Sequence, residues 1–127
     1  MYYNSKTIKA SFNEAIQMVT EELQKEGFGV LTEIDVKGTL KKKLDVDFRN
    51  YKILGACNPP FAHKALQMEE NIGVLMPCNV VVQEKEPGQI IVSAVNPMES
   101  MQTVGNQELA SIAGEISDKL KRVISNL

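Results

Sequence analysis

Two Cys-Asn pairs hold the most suggestive chemistry in this sequence. Cys57-Asn58 stands between a strand-like run and Pro59-Pro60, so its thiol is placed where a strand ends and a helix begins. Amides at a helix N-terminus favour anions and lower the pKa of a nearby thiol. Cys78-Asn79 follows Pro77 inside a second strand-like run. If those runs are neighbours, both thiols meet in space. Three roles are then open to Cys57: contact with a ligand, nucleophilic or redox chemistry, or plain burial as a small hydrophobe. Glu69 is the third unusual residue. At about 100° per residue, Phe61, Ala62, Ala65, Leu66, Met68 and Ile72 form one apolar arc of a helix, and Glu69 falls inside it. A carboxylate there either escapes to water at the helix end or has a partner. Cys57, Asn58, Glu69, Cys78 and Asn79 are therefore the candidate ligand-binding residues, and no catalytic residue is assigned.

Other constellations carry less. His63 lies with Gln67 and Glu70 on the polar arc, away from the packed side, so a Cys57–His63 dyad lacks the reach it needs. A Cys-Cys-His metal site fails for the same reason and lacks a fourth ligand. Soft-metal binding through the two thiolates ranks below the other readings, and no metal or cofactor is expected. Glu33, Asp35 and Lys37 line one face of a strand, which reads first as a solvated face that sets register. Gly27-Phe28-Gly29 is too short for a phosphate-binding loop and reads better as a helix end. Met98 and Met101 read as an adaptable contact surface or a core plug.

The elements that position these residues follow from periodicity. Tyr2 to Lys9 reads as a strand. Ser11-Phe12-Asn13-Glu14 fits a capping box, and Phe12, Ala15, Ile16, Val19 and Leu23 form the helical stripe behind it, stopped at Gly27. Phe28 to Lys37 alternates as a strand with Val30, Thr32, Ile34 and Val36 on one face. A short helix over Thr39 to Leu44 and a strand over Tyr51 to Cys57 come next. Asn58 is placed to cap a helix that begins at Pro59 and is followed by Gly73. Val74 to Glu84 and Gln89 to Asn96 form a hairpin around Pro87-Gly88. Pro97 to Gly105 connects to a last helix capped by Asn106, with Leu109, Ile112, Ala113, Ile116, Leu120, Val123 and Ile124 as its stripe.

The reading is a single α+β domain over 1–127: a mostly antiparallel five-stranded sheet with amphipathic helices on one face and two inserted short helices. In the hairpin, Ile90, Val92 and Ala94 are apolar on one face and Ile91 and Val95 on the other. Helices cover one face, and a second subunit is an economical cover for the other. A hydrophobic fraction of 43%, a charged fraction of 24% and a formal net charge of −2 are ordinary for a globular chain and argue against nucleic acid or an acidic membrane as partner. The basic run Lys41-Lys42-Lys43 reads as a solvated helix face. No apolar run approaches the ~18 residues of a membrane span, and no targeting segment is visible at the N-terminus. Two cysteines make no disulfide scaffold, so the expectation is a cytoplasmic chain with reduced thiols.

Two segments carry a family resemblance. Phe48-Arg49-Asn50-Tyr51-Lys52-Ile53-Leu54-Gly55-Ala56-Cys57-Asn58-Pro59 is one. Ile72-Gly73-Val74-Leu75-Met76-Pro77-Cys78-Asn79-Val80-Val81-Val82, preceded by Ala65-Leu66, is the other. Together they resemble the "domain of unknown function 302" family over nearly the whole chain. The resemblance implies a fold of the TATA-box-binding-protein class and a dimer. It implies no activity, and the fold class hosts unrelated functions. The functional expectation is a homodimeric module that binds a small molecule near the two Cys-Asn pairs. The alternatives are a thiol-dependent enzyme or redox sensor using Cys57, and a purely structural dimer.

Overall fold

Strands and helices interleave along residues 1–127, all of which are described by a computed structural model. The strands are β1 (Tyr3–Lys9), β2 (Gly29–Asp35), β3 (Asn50–Cys57), β4 (Cys78–Glu86) and β5 (Gln89–Val95). The helices are α1 (Phe12–Lys25), α2 (Val36–Leu44), α3 (Pro59–Met68), α4 (Pro97–Ser100) and α5 (Gln107–Ser125), with 3-10 turns at Ile72–Leu75 and Gln102–Val104. The sheet runs in the order β1-β5-β4-β3-β2, and all its pairs are antiparallel. This is the α+β architecture expected from the residue pattern.

One face of the sheet holds the core. Leu54, Ala56, Val80, Val82, Ile90, Val92 and Ala94 pack against Ala15, Val19 and Leu23 of α1 and against Ile112, Ile116, Leu120, Val123 and Ile124 of α5. Alternation along each strand and the stripe on each helix put these residues on facing sides. The helix ends form as their residues dictate. The Glu14 N–H donates to Ser11 Oγ at 3.2 Å, and the Ser11 hydroxyl donates to Glu14 Oε1 at 2.9 Å. Asn106 Oδ1 accepts from the amides of Glu108 and Leu109. Gly27, at φ 85°, lets the chain leave α1 in the left-handed region. Glu26 beside it accepts from Arg122 Nη2 at 2.9 Å, which ties the C-terminal end of α1 to α5. That hydrogen bond to Arg122 holds the Glu26 carboxyl below the usual range.

The expected alternation of β2 breaks in one place. The register shifts between Val30, opposite Ala56, and Thr32, opposite Gly55. The bulge inserts one residue, so Val30 packs on the core while Thr32 and Ile34 go to the other face. Val36, expected on the Val30 face, instead opens α2, where the Asp35 side chain accepts the Gly38 amide. The bulge also explains Gly55. A Cβ there would collide with Thr32 Oγ1 and stand 2.9 Å from Pro77 Cγ. Gly55→Ala is expected to lower stability by about 1–3 kcal/mol through overpacking, measured as a shift in the denaturation midpoint; an unshifted midpoint would show that the bulge yields freely.

The other face of the sheet carries Tyr51, Ile53, Val81, Gln83, Ile91 and Ser93 by register. None of the large apolar side chains on it is fully buried, and Ile34 beside them is 49% exposed. Helix α2 buries none of its residues, and Leu44 at its end is 67% exposed.

Candidate functional site

The ends of β2, β3 and β4 meet α3 and α5 around a cavity of about 290 Å³. Thirteen of its sixteen lining residues are hydrophobic when both cysteines are counted. Phe28, Leu31 and Thr32 come from the β2 side; Ala56, Cys57 and Asn58 from the β3–α3 junction; Phe61, Ala62 and Ala65 from α3. Met76, Pro77 and Cys78 lead into β4, Met101 comes from the connection before α5, and Ile112, Ala113 and Ile116 close the far wall. No Asp, Glu, Lys, Arg or His lines it.

Both cysteines line this cavity: Cys78 stands opposite Ala56 in the β3–β4 pairing, and Cys57 is the next residue at the end of β3. Both are free thiols. Burial, with a smaller contribution from Cys57, pushes the Cys78 thiol up from 9.0 to about 11. A raised thiol pKa makes stability pH-dependent in one direction. The unfolded thiol ionises near 9.0 and the folded one near 11, so the folded state loses ground as pH rises between them. Cys78→Ala is expected to flatten the fall in unfolding free energy over that interval, read from denaturation curves at a series of pH values. An unchanged slope would mean that another group sets it.

Asn58 is buried at 7% exposure, and it works differently from a capping residue. Its side chain caps nothing on α3; Nδ2 instead donates to the Glu26 carbonyl at 3.2 Å, joining the end of α1 to the start of α3. Its Oδ1 accepts no protein hydrogen bond. Asn58 and Thr32 are the polar residues of the cavity wall, and the Thr32 hydroxyl lies against Gly55.

The remaining two candidates lie elsewhere. Asn79 sits opposite Gly55, on the other face of the sheet, because side chains alternate along β4. Glu69 is the residue at which α3 ends; its backbone is extended, its amide donates to the Ala65 carbonyl, and it does not line the cavity. The helical arc that placed it assumed a helix running to Ile72, whereas α3 stops at Met68 and Ile72 belongs to the following 3-10 turn. Gly73 likewise lies within that turn rather than at the end of the helix. His63 is exposed and does not line the cavity that both cysteines line. No group of three or more His, Cys, Asp or Glu could hold a metal ion, and no helix is long and apolar enough to cross a membrane.

Sequence reasoning missed Met76, Met101 and the α5 residues as cavity walls. The α5 stripe was visible, but periodicity does not distinguish a residue facing packed core from one facing a void.

Comparison with known proteins agrees with the fold. No curated protein matches this chain. A crystal structure of an uncharacterized conserved protein DUF302 from Bacillus stearothermophilus is similar, with a TM-score of 0.90 and 29% identity, over 98% of this chain and 97% of that one. The model of the family described as domain of unknown function DUF302 matches residues 4–127, and the chain therefore belongs to the DUF302 family.

Proposed function

We propose that this chain is a cytoplasmic, homodimeric module that binds a small, mostly apolar molecule in the cavity beside Cys57, Asn58 and Cys78. The observation that carries the reading is the cavity itself: concave, apolar and without a charged lining residue. Binding sites for small molecules have this character, with a few polar groups setting orientation. Asn58 supplies such a group, keeping an acceptor free while its donor is fixed to α1. Asn79 and Glu69 do not line that cavity. The homodimer reading rests on the half-apolar open face of the sheet and on α2, which buries nothing of its own. The two free thiols support a cytoplasmic location.

The test is occupancy. An apolar fluorescent dye should bind with one site per chain. Ala62→Trp, which puts a large ring at the half-buried cavity wall, should abolish binding with the fold intact by circular dichroism. Equal dye binding by this variant would overturn the reading.

A second reading, a thiol-dependent enzyme or redox sensor using Cys57, is favoured by the two thiols sharing one cavity. It requires Cys57 to react faster than Cys78 with a small alkylating reagent at neutral pH, since Cys78 stays protonated there. Equal and strongly suppressed rates in the native chain would remove it and leave the cysteines structural.

A further inference from the structure

Four residues around the cavity carry sulfur: Cys57, Met76, Cys78 and Met101. They reach it from three separate parts of the chain. Cys57 closes β3, Met76 and Cys78 flank Pro77 at the entry to β4, and Met101 follows α4. All four are half-buried. The other walls are aliphatic or aromatic apart from Thr32 and Asn58, and no carboxylate or imidazole is among them.

That donor set discriminates among metals. Ca²⁺ and Mg²⁺ need several oxygen ligands, which this wall does not supply. Structural Zn²⁺ takes four strong donors from Cys, His or carboxylates, and only the two thiols qualify. Thiolates combined with thioethers select soft ions.

We propose that this cavity binds a soft monovalent metal ion, Cu(I) or its surrogate Ag(I), with Cys57 and Cys78 as thiolate ligands and Met76 and Met101 as thioether donors. Each thiol that ligates releases one proton to solvent as its sulfur–metal bond forms. Nothing is oxidised or reduced. The proposal does not depend on the apolar-ligand reading: it uses the sulfur-bearing part of the wall, and the two can fail separately.

The experiment is a competition for Cu(I). Reduced, metal-free protein is added anaerobically to Cu(I) held by a chromophoric chelator, and loss of the chelator's colour reports transfer. One equivalent per chain is expected. Cys57→Ser and Cys78→Ser should each weaken retention by about 100-fold or more. Met76→Leu with Met101→Leu conserves volume, so it should leave the unfolding midpoint nearly unchanged while weakening retention by about tenfold. Should a serine variant fail to fold, the paired Met→Leu variant still decides, because packing alone predicts no change in Cu(I) affinity. No transfer to the wild-type chain would overturn the proposal. So would unchanged retention by the serine or the leucine variants, or equally tight retention of Zn(II). Dye bound by the metal-free chain without Cu(I) transfer would sink this site and leave the apolar-ligand reading standing.

Discussion

The wild-type chain is expected to sediment as a dimer at micromolar concentration, and Val81→Asp as a monomer. Val81 lies at the middle of the open face, opposite Ser93 of β5 and Ile53 of β3. A carboxylate introduced there costs the chain little by itself, because this face packs on no helix core. In a face-to-face dimer the same carboxylate would be buried beside its symmetry mate, without a partner charge, and repulsion adds to desolvation. The expected loss exceeds tenfold in the dimerisation constant, which corresponds to about 1.4 kcal/mol. A wild-type chain that sediments as a clean monomer would refute the homodimer. A Val81→Asp chain that remains dimeric would move the interface elsewhere, with α2 and its exposed Leu44 the next surface to test.

The largest stability effect is expected at Leu54. This residue is fully buried on the core face of β3, opposite Val80, with α1 and α5 above it. Truncating it to alanine removes apolar contact and leaves a void in a close-packed layer, at a cost of about 2–5 kcal/mol. Leu66→Ala provides the control. Leu66 is 44% exposed on α3, and its truncation should stay within about 0.5 kcal/mol. Denaturant unfolding of the two variants reads the contrast directly. A Leu54→Ala loss below about 1 kcal/mol would mean that the sheet collapses onto the vacated volume.

That pair of leucines also shows what the residue pattern can and cannot disclose. The stripe of α5 was readable in full, because Leu109, Ile112, Ala113, Ile116, Leu120, Val123 and Ile124 repeat at helical spacing over a long helix and every one is buried. Leu66 was placed on the apolar arc of α3 and is nearly half exposed, since a helix of ten residues packs along a narrower line than its hydrophobic residues span. The β2 bulge was invisible: alternation continues through Val30, Thr32 and Ile34 in the sequence, and only the pairing with Gly55 shows that one residue is extra. Of the candidate residues, the two cysteines and Asn58 line one cavity, at the end of β3, the start of α3 and the start of β4. Asn79 was misplaced relative to them by alternation, and Glu69 by the early end of α3. Met76 carried no signal, and Met101 read only as a contact surface or a core plug, because methionine fills core gaps so often that its spacing says nothing about chemistry.

The strand order sets a sequence of events as well as a shape. Strands β2, β3, β4 and β5 are each neighbours of the next in chain order, so each pairing closes a modest loop. Strand β1 is different. Its partner is β5, with Tyr3 opposite Val95, and the chain between them includes every other strand. The entropy of closing a loop grows with its length, and long-range pairings form slowly. On a ribosome, β1 and the apolar stripe of α1 therefore emerge first and wait unpaired until Gln89–Val95 has been made. The meander from β2 to β5 is the part that can nucleate. Substitutions in β1 are expected to speed unfolding while leaving the folding rate nearly unchanged, whereas substitutions in the β3–β4 pairing slow folding itself.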